Sequence, residues 1–136
     1  MEIDVIIPTH NRAHTLARAI DSVFNQTYKK FQIYLIDDAS SDESYEIIKP
    51  YFIDPRFHFH KLDVNVGVSE ARNTGVHLGH STFISFLDSD DEWLAQKLEE
   101  QMSFIKNNSH LLIVYTDEIW MRNGVKVNQK KGHQKS

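Results

Sequence analysis

With 136 residues the chain is long enough for one domain burying roughly two-thirds of its unfolded surface, and too short for two. A composition of 40% hydrophobic and 25% charged residues excludes disordered and collagen-like classes, and a net charge of −4 argues against a sequence-independent grip on nucleic acid. The lack of cysteine removes disulfides, thiolate chemistry and Cys-ligated zinc, so any metal must sit on oxygen or imidazole.

Met1 leads almost directly into the apolar run Val5 to Ile7, with no secretory signal pattern, and no stretch approaches the ~20 apolar residues of a membrane span. A soluble protein of the cytoplasm, or of the inner face of its membrane, is expected. Ile3 to Pro8 reads as a strand buried on both faces. After Thr9-His10-Asn11, the spacing of Leu16, Ile20, Val23 and Phe24 marks one face of a helix. Phe31 to Asp37 reads as a second buried strand, and Ser40 with Glu43 forms the S-x-x-E capping pattern of a helix start. That helix carries Tyr45, Ile47 and Ile48 and is expected to stop near Pro50.

Phe57 and Phe59 alternate with His58 and His60, as in a strand with one more exposed face. Ser69 opens the next helix, and Gly79 falls where a left-handed cap would end it. Thr82 to Leu87 is the fourth strand. Leu94, Leu98, Met102 and Ile105 follow helical spacing, Leu111 to Tyr115 is a fifth strand, and Asn123-Gly124 suits a hairpin turn between Ile119-Trp120-Met121 and Val125-Lys126-Val127. Strands alternating with helices predict an α/β fold with a mostly parallel sheet covered on both faces. A core over 1–127 is expected, followed by a polar, disordered tail over 128–136 that lacks apolar residues.

The polar clusters follow the strands, where ligands bind in open α/β sheets. Strand one ends in Pro8-Thr9-His10-Asn11-Arg12, strand two in Asp37-Asp38-Ala39-Ser40, and strand four in Asp88-Ser89-Asp90-Asp91. Asp88 and Asp90 alternate, so in an extended segment both face one site ~7 Å apart while Ser89 turns away. Mg²⁺ or Mn²⁺ binds readily through one or two such carboxylates plus substrate phosphates. A helix N-terminus explains the same acids equally well. Asp37 and Asp38 offer acceptors for a base N–H or ribose hydroxyl, although a turn cluster is the commoner role of such a pair. Gly67 precedes the helix whose first turn exposes Arg72, suited either to a phosphate or to a surface ion pair. His58 and His60 fit an exposed strand better than a metal site, and Trp93 and Trp120 fit the core better than a sugar platform.

Taken in order, Val5-Ile6-Ile7-Pro8-Thr9-His10-Asn11-Arg12, Asp37-Asp38-Ala39-Ser40-Ser41-Asp42, Asn65-Val66-Gly67 with Ala71-Arg72-Asn73, and Phe86-Leu87-Asp88-Ser89-Asp90-Asp91-Glu92-Trp93 resemble glycosyltransferase family 2. The resemblance implies a GT-A sandwich, a Rossmann-like α/β arrangement, and a hexosyl transfer with inversion from a nucleotide-diphosphate sugar, expected to be a UDP-sugar. It assigns the donor site to Pro8, Thr9, His10, Asn11, Arg12, Asp37, Asp38, Gly67, Arg72, Asp88 and Ser89. Asp90, with Asp88, would hold Mn²⁺ or Mg²⁺. The acceptor would be a glycan or a lipid-linked sugar in cell-surface polysaccharide synthesis, compatible with peripheral membrane association and with no role for nucleic acid. In the family the catalytic base comes from a later segment, after the region of the hairpin, so the chain is expected to be the donor-binding part, truncated before the acceptor-binding half. Two alternatives stay open: a nucleotide-binding module without turnover, and a sugar nucleotidyltransferase, although Thr9 to Thr15 lacks the glycines of such a phosphate loop.

Overall fold

The computed structural model describes residues 2–107, 119–122 and 126–127. In chain order the elements are β1 (Ile3–Thr9), α1 (Ala13–Phe24), β2 (Phe31–Asp37), α2 (Ser44–Ile48), a 3₁₀ turn (Lys49–Ile53), β3 (Phe57–Lys61), α3 (Val68–Leu78), β4 (Phe83–Phe86), α4 (Lys97–Asn107), β5 (Ile119–Met121) and β6 (Lys126–Val127). They form one sheet in the order β3-β2-β1-β4-β5-β6, parallel from β3 to β4 and antiparallel at β5 and β6.

All seven residues of β1 are buried, Asp4 and Thr9 among them, as expected of a nearly continuous apolar run in a central strand covered on both sides. Its period-two alternation divides the core. Ile3, Val5 and Ile7 pack with Leu16, Ile20 and Val23 of α1 and with Leu98, Met102 and Ile105 of α4, whereas Ile6 packs with Tyr34, Ile36 and Ala71 under α3. Burying Leu16, Ile20 and Val23 contributes about 1.5–3 kcal/mol each, enough to fix α1 on the sheet. Gly75 lets α3 approach closely, since a Cβ there would lie 2.5 Å from Ile6 Cγ2. Trp93 and Trp120 are both half-buried against these cores, and His58 stacks on Tyr34.

The chain moves outward from β1 to β2 to β3, then returns to place β4 on the other side of β1. This reversal opens a crevice beyond the carboxyl ends of β1 and β4.

Four local expectations need correction. Ser40 and Glu43 form no capping box: Ser40 Oγ instead accepts the Asn11 N–H at 2.8 Å, and α2 begins at Ser44 without a side-chain cap. Gly79 is extended, with φ −91° and ψ 177°, and its lack of a side chain matters because a Cβ would collide with the Asp4 carboxylate. Leu94 precedes α4 and is 82% exposed, because its carbonyl bonds Gln26 Nε2 and the helix starts three residues later. Asp88 to Asp91 is a turn closed by the Asp91 N–H on the Asp88 carbonyl at 3.0 Å, so the two acids sit on a bend rather than an extended strand. Ser89, expected to turn away from the site that the two acids face, instead lies beside them on that crevice and is 5% exposed. The helix after Asp37 passes into the 3₁₀ turn that contains Pro50. The Leu111 to Tyr115 strand, the Asn123-Gly124 turn and the 128–136 tail lie outside the described residues.

Candidate functional site: a strand-end cavity

A cavity of about 340 Å³ opens at the crevice between β1 and β4, lined by Pro8, Thr9, His10, Arg12, Asp38, Val68, Ala71, Arg72, Asp88, Ser89 and Asp90. Four chain segments far apart in sequence therefore share one wall. The Asp38 N–H donates to the Thr9 carbonyl at 2.8 Å and ties the ends of β1 and β2 together.

Two loops form the floor. Asn11 adopts φ 53°, a conformation asparagine tolerates better than most residues. Its Oδ1 accepts the N–H groups of Ser41 at 2.8 Å and Asp42 at 3.2 Å. Asp42 returns the link, since its Oδ2 accepts the Ala13 N–H at 3.1 Å and so serves the free start of α1 from a distant loop. Burial pushes the Asp42 carboxyl upward, but the bonds from the Ser44 hydroxyl and from the Ala13 and Ser44 amides outweigh it and hold it below its ordinary value. His10 Nδ1 donates to the Asp38 carbonyl at 2.7 Å, which leaves Nε2 as an acceptor.

Asp38 is 4% exposed and holds the neighbouring wall. Its Oδ1 accepts the Val66 N–H at 2.8 Å; its Oδ2 accepts the Gly67 N–H at 2.8 Å and Asn65 Nδ2 at 2.9 Å. Gly67 has φ +99°, which side-chain-bearing residues rarely adopt, and this lets consecutive amides converge on one carboxylate. Oδ1 makes a single bond, so it keeps acceptor capacity toward the cavity.

Opposite lie the charges. Arg72 Nη2 pairs with Asp88 Oδ1 at 3.1 Å, and its guanidinium sits over the Phe86 ring. With both side chains over one-third exposed the pair contributes little stability, so either partner is available to a ligand at small cost. The Arg72 Nε and the Thr9 hydroxyl are buried without a hydrogen-bond partner among the described residues. Unanswered buried donors of this kind are expected where a polar ligand completes the wall. The carboxylate of Asp90 and the guanidinium of Arg12 make no ion pair among the described residues.

The residues expected from sequence fall into two sets. Pro8, Thr9, His10, Arg12, Asp38, Arg72, Asp88, Ser89 and Asp90 come together on the cavity. Asn11, Asp37 and Gly67 stand behind it: Asn11 fastens the floor loops, Asp37 Oδ1 accepts the Ser40 N–H at 2.9 Å, and Gly67 donates to Asp38. Val68 and Ala71 complete the lining, and Asn65 braces Asp38; Asn65 and Ala71 fall within the motif stretches but received no role there, and Val68, being apolar, carries no signal that separates it from an ordinary helix-start residue. Among the described residues no group of three His, Asp or Glu could hold a metal alone. A cation here would rest on one or two carboxylates and a ligand's oxygens, which suits Mg²⁺ or Mn²⁺ rather than zinc. No helix among the described residues is long and apolar enough to cross a membrane.

Comparison with known proteins agrees with this arrangement. The profile described as glycosyl transferase family 2 matches residues 4–133. The UDP-Glc:alpha-D-GlcNAc-diphosphoundecaprenol beta-1,3-glucosyltransferase WfgD of Escherichia coli is 39% identical over 108 residues, covering 78% of this chain and 42% of that protein. Among solved structures, S. aureus TarS 1-349 in complex with UDP-GlcNAc superposes with a TM-score of 0.76 at 26% identity, over 80% of this chain and 32% of that one. The mannosyltransferase PcManGT of Pyrobaculum calidifontis, in complex with GDP-Man and Mn2+, shares the fold at a TM-score of 0.70 and 22% identity, over 76% of this chain and 32% of that one. These neighbours have the GT-A fold. The chain spans less than half the length of the curated relatives named here. On the profile match and these likenesses, the chain belongs to glycosyl transferase family 2.

Proposed function

We propose that the cavity binds the donor of a sugar transfer, a nucleoside-diphosphate sugar of which UDP-sugars are the first candidates, with a divalent cation between its diphosphate and Asp90. The reading is carried by one observation: a buried carboxylate, two guanidinium groups and two exposed carboxylates, drawn from the ends of three strands and the start of α3, line one cavity. Asp38 Oδ1 supplies an acceptor on the side suited to a nucleobase. Arg12 and Arg72 supply planar donor forks for phosphate oxygens. Asp90, whose carboxylate pairs with no Lys or Arg among the described residues, is the ligand for Mn²⁺ or Mg²⁺, and Asp88 adds a second carboxylate when Arg72 turns to the phosphate. When bound, the ion stabilises negative charge on the departing diphosphate. Further support comes from TarS bound to UDP-GlcNAc and PcManGT bound to GDP-Man and Mn2+. The parent activity we infer is hexosyl transfer with inversion to an acceptor of cell-surface polysaccharide synthesis, WfgD being a glucosyltransferase whose name gives a diphosphoundecaprenol-linked sugar.

Calorimetry with UDP tests the reading. The wild-type chain should bind UDP, and Mn²⁺ should tighten that binding at least tenfold; Asp90→Ala should abolish the Mn²⁺ effect while leaving the melting temperature within about 2 °C, as expected for an exposed residue. Identical isotherms with and without Mn²⁺ in the wild type would end the proposal.

A further inference from the structure

Asp88 and Asp90 sit on a turn whose own backbone provides one closing bond, Asp91 N–H to the Asp88 carbonyl. Two side chains of α1 reach across to it. Thr15 Oγ1 donates to the Ser89 carbonyl at 2.8 Å, and Arg18 Nη2 donates to the Asp90 carbonyl at 2.9 Å. Arg18 Nε also lies 3.6 Å from Glu92 Oε1. Thr15 and Arg18 are three positions apart, so they share one stripe of the helix, beside the buried Leu16 and Ala19 that fix α1 on the sheet.

The two bonds pin consecutive carbonyls. Fixing the peptide planes on either side of Asp90 sets the direction of its Cα–Cβ bond, and with it the volume its carboxylate can reach. Neither Thr15 nor Arg18 lines the cavity. The Arg18–Glu92 pair is more than half exposed on both sides and adds little by itself, so the effect of Arg18 resides in its charge-assisted bond to the carbonyl.

We propose that Thr15 and Arg18 are positioning residues for the cation–diphosphate end of the site, acting through Asp90 without touching ligand; this rests on the donor-site reading above. A carboxylate already held in place binds its cation without first losing backbone freedom, and removing such outer-layer supports characteristically weakens metal binding tenfold or more.

The test combines two measurements on the whole chain. Thr15→Val removes the hydroxyl at nearly constant volume, Thr15→Ser keeps it, and Arg18→Met keeps the aliphatic stem without the donors. Calorimetry follows UDP binding across a Mn²⁺ series, and hydrogen exchange follows the amide of residue 91 against those of β1. In Thr15→Val and Arg18→Met the Mn²⁺ concentration giving half the enhancement should rise roughly tenfold, UDP affinity without metal should stay within about twofold, and exchange at 91, whose N–H closes the turn, should quicken about tenfold while β1 is unchanged. Thr15→Ser should behave as wild type in both. Unaltered exchange would show that α1 does not hold the turn and overturn the proposal. Faster exchange with an unaltered Mn²⁺ dependence would overturn it too, by detaching the turn from cation binding. A wild type indifferent to Mn²⁺ would instead remove the donor-site reading and this proposal with it, and the exchange data would still report whether α1 restrains the turn.

Discussion

Replacing Asp38 by Asn changes one atom of a buried side chain, yet it should be among the most damaging single substitutions in the site. The three groups around the carboxylate, Val66 N–H, Gly67 N–H and Asn65 Nδ2, are all donors at 2.8–2.9 Å. An amide offers one acceptor oxygen and turns an NH₂ toward the remaining donor. With its oxygen at the Oδ2 position the amide keeps Gly67 and Asn65 without the charge, loses the Val66 bond, and sets donor against donor at a position 4% exposed. Losing one bond to a charged group costs about 1.5–3 kcal/mol, and the two remaining bonds, now to a neutral oxygen, bring the sum to about 3 kcal/mol. A domain of this kind has about 5–15 kcal/mol of stability, so the variant still folds in water. With an m-value near 2 kcal/mol per molar urea, its midpoint should fall by about 1.5 M at unchanged slope. Asp38→Ala should fare at least as badly, because it leaves all three donors without an acceptor. Urea unfolding followed by Trp fluorescence measures both. A midpoint for Asp38→Asn within about 0.3 M of wild type would show that the clamp is unimportant.

Three further outcomes follow from other contacts. Asp4 is fully buried and answered by Ser81 and by Arg122 Nη2, so Arg122→Met strands a carboxylate and should cost about 3 kcal/mol in urea unfolding, while Asp4→Ala combined with Arg122→Met should cost clearly less than the sum of the single variants. Gly75→Ala places a methyl 2.5 Å from Ile6 Cγ2, and overpacking of about 2 kcal/mol, partly offset by better helix propensity, should lower the calorimetric melting temperature by about 3–8 °C. Asp42 has a carboxyl held below 3.8, so its contribution is present above that value and lost as pH falls through the lower folded value. Asp42→Asn should therefore be modestly less stable than wild type at neutral pH, solvent screening keeping the difference small, with the two urea curves converging in acid.

Much of the fold is legible because its signals are local. Ile3 to Pro8 and Phe31 to Asp37 announce buried parallel strands by composition, and α1 announces its face by the spacing of Leu16, Ile20 and Val23. The helix starts are less legible because several are served from elsewhere. Asp42 answers Ala13 at the head of α1, and Gln26 Oε1 accepts the Leu98 N–H at 2.9 Å near the head of α4. Ser40 matches a local capping pattern but is taken by Asn11. The same limit applies to the site. Acids that follow apolar strands can be read as facing a ligand, whereas the partition between Asp38, which lines the cavity, and Asp37, which turns back to Ser40, depends on which side of β2 each leaves. Thr15 and Arg18 read as polar faces of an amphipathic helix, and only the approach of the β4 turn from more than seventy residues later gives them a different task.

The place of β1 in the sheet also bears on how the chain is made. Ile3 pairs with Phe31 on one side, but on the other it waits for Phe83. At about 5–20 residues per second the ribosome needs roughly 4–16 s to supply that second neighbour. For those seconds a strand destined for full burial carries a bare edge, open to any other extended segment in reach. The nascent chain is thus most vulnerable to mispairing after β2 has docked and before β4 emerges, and closure of the ligand crevice coincides with the end of that exposure.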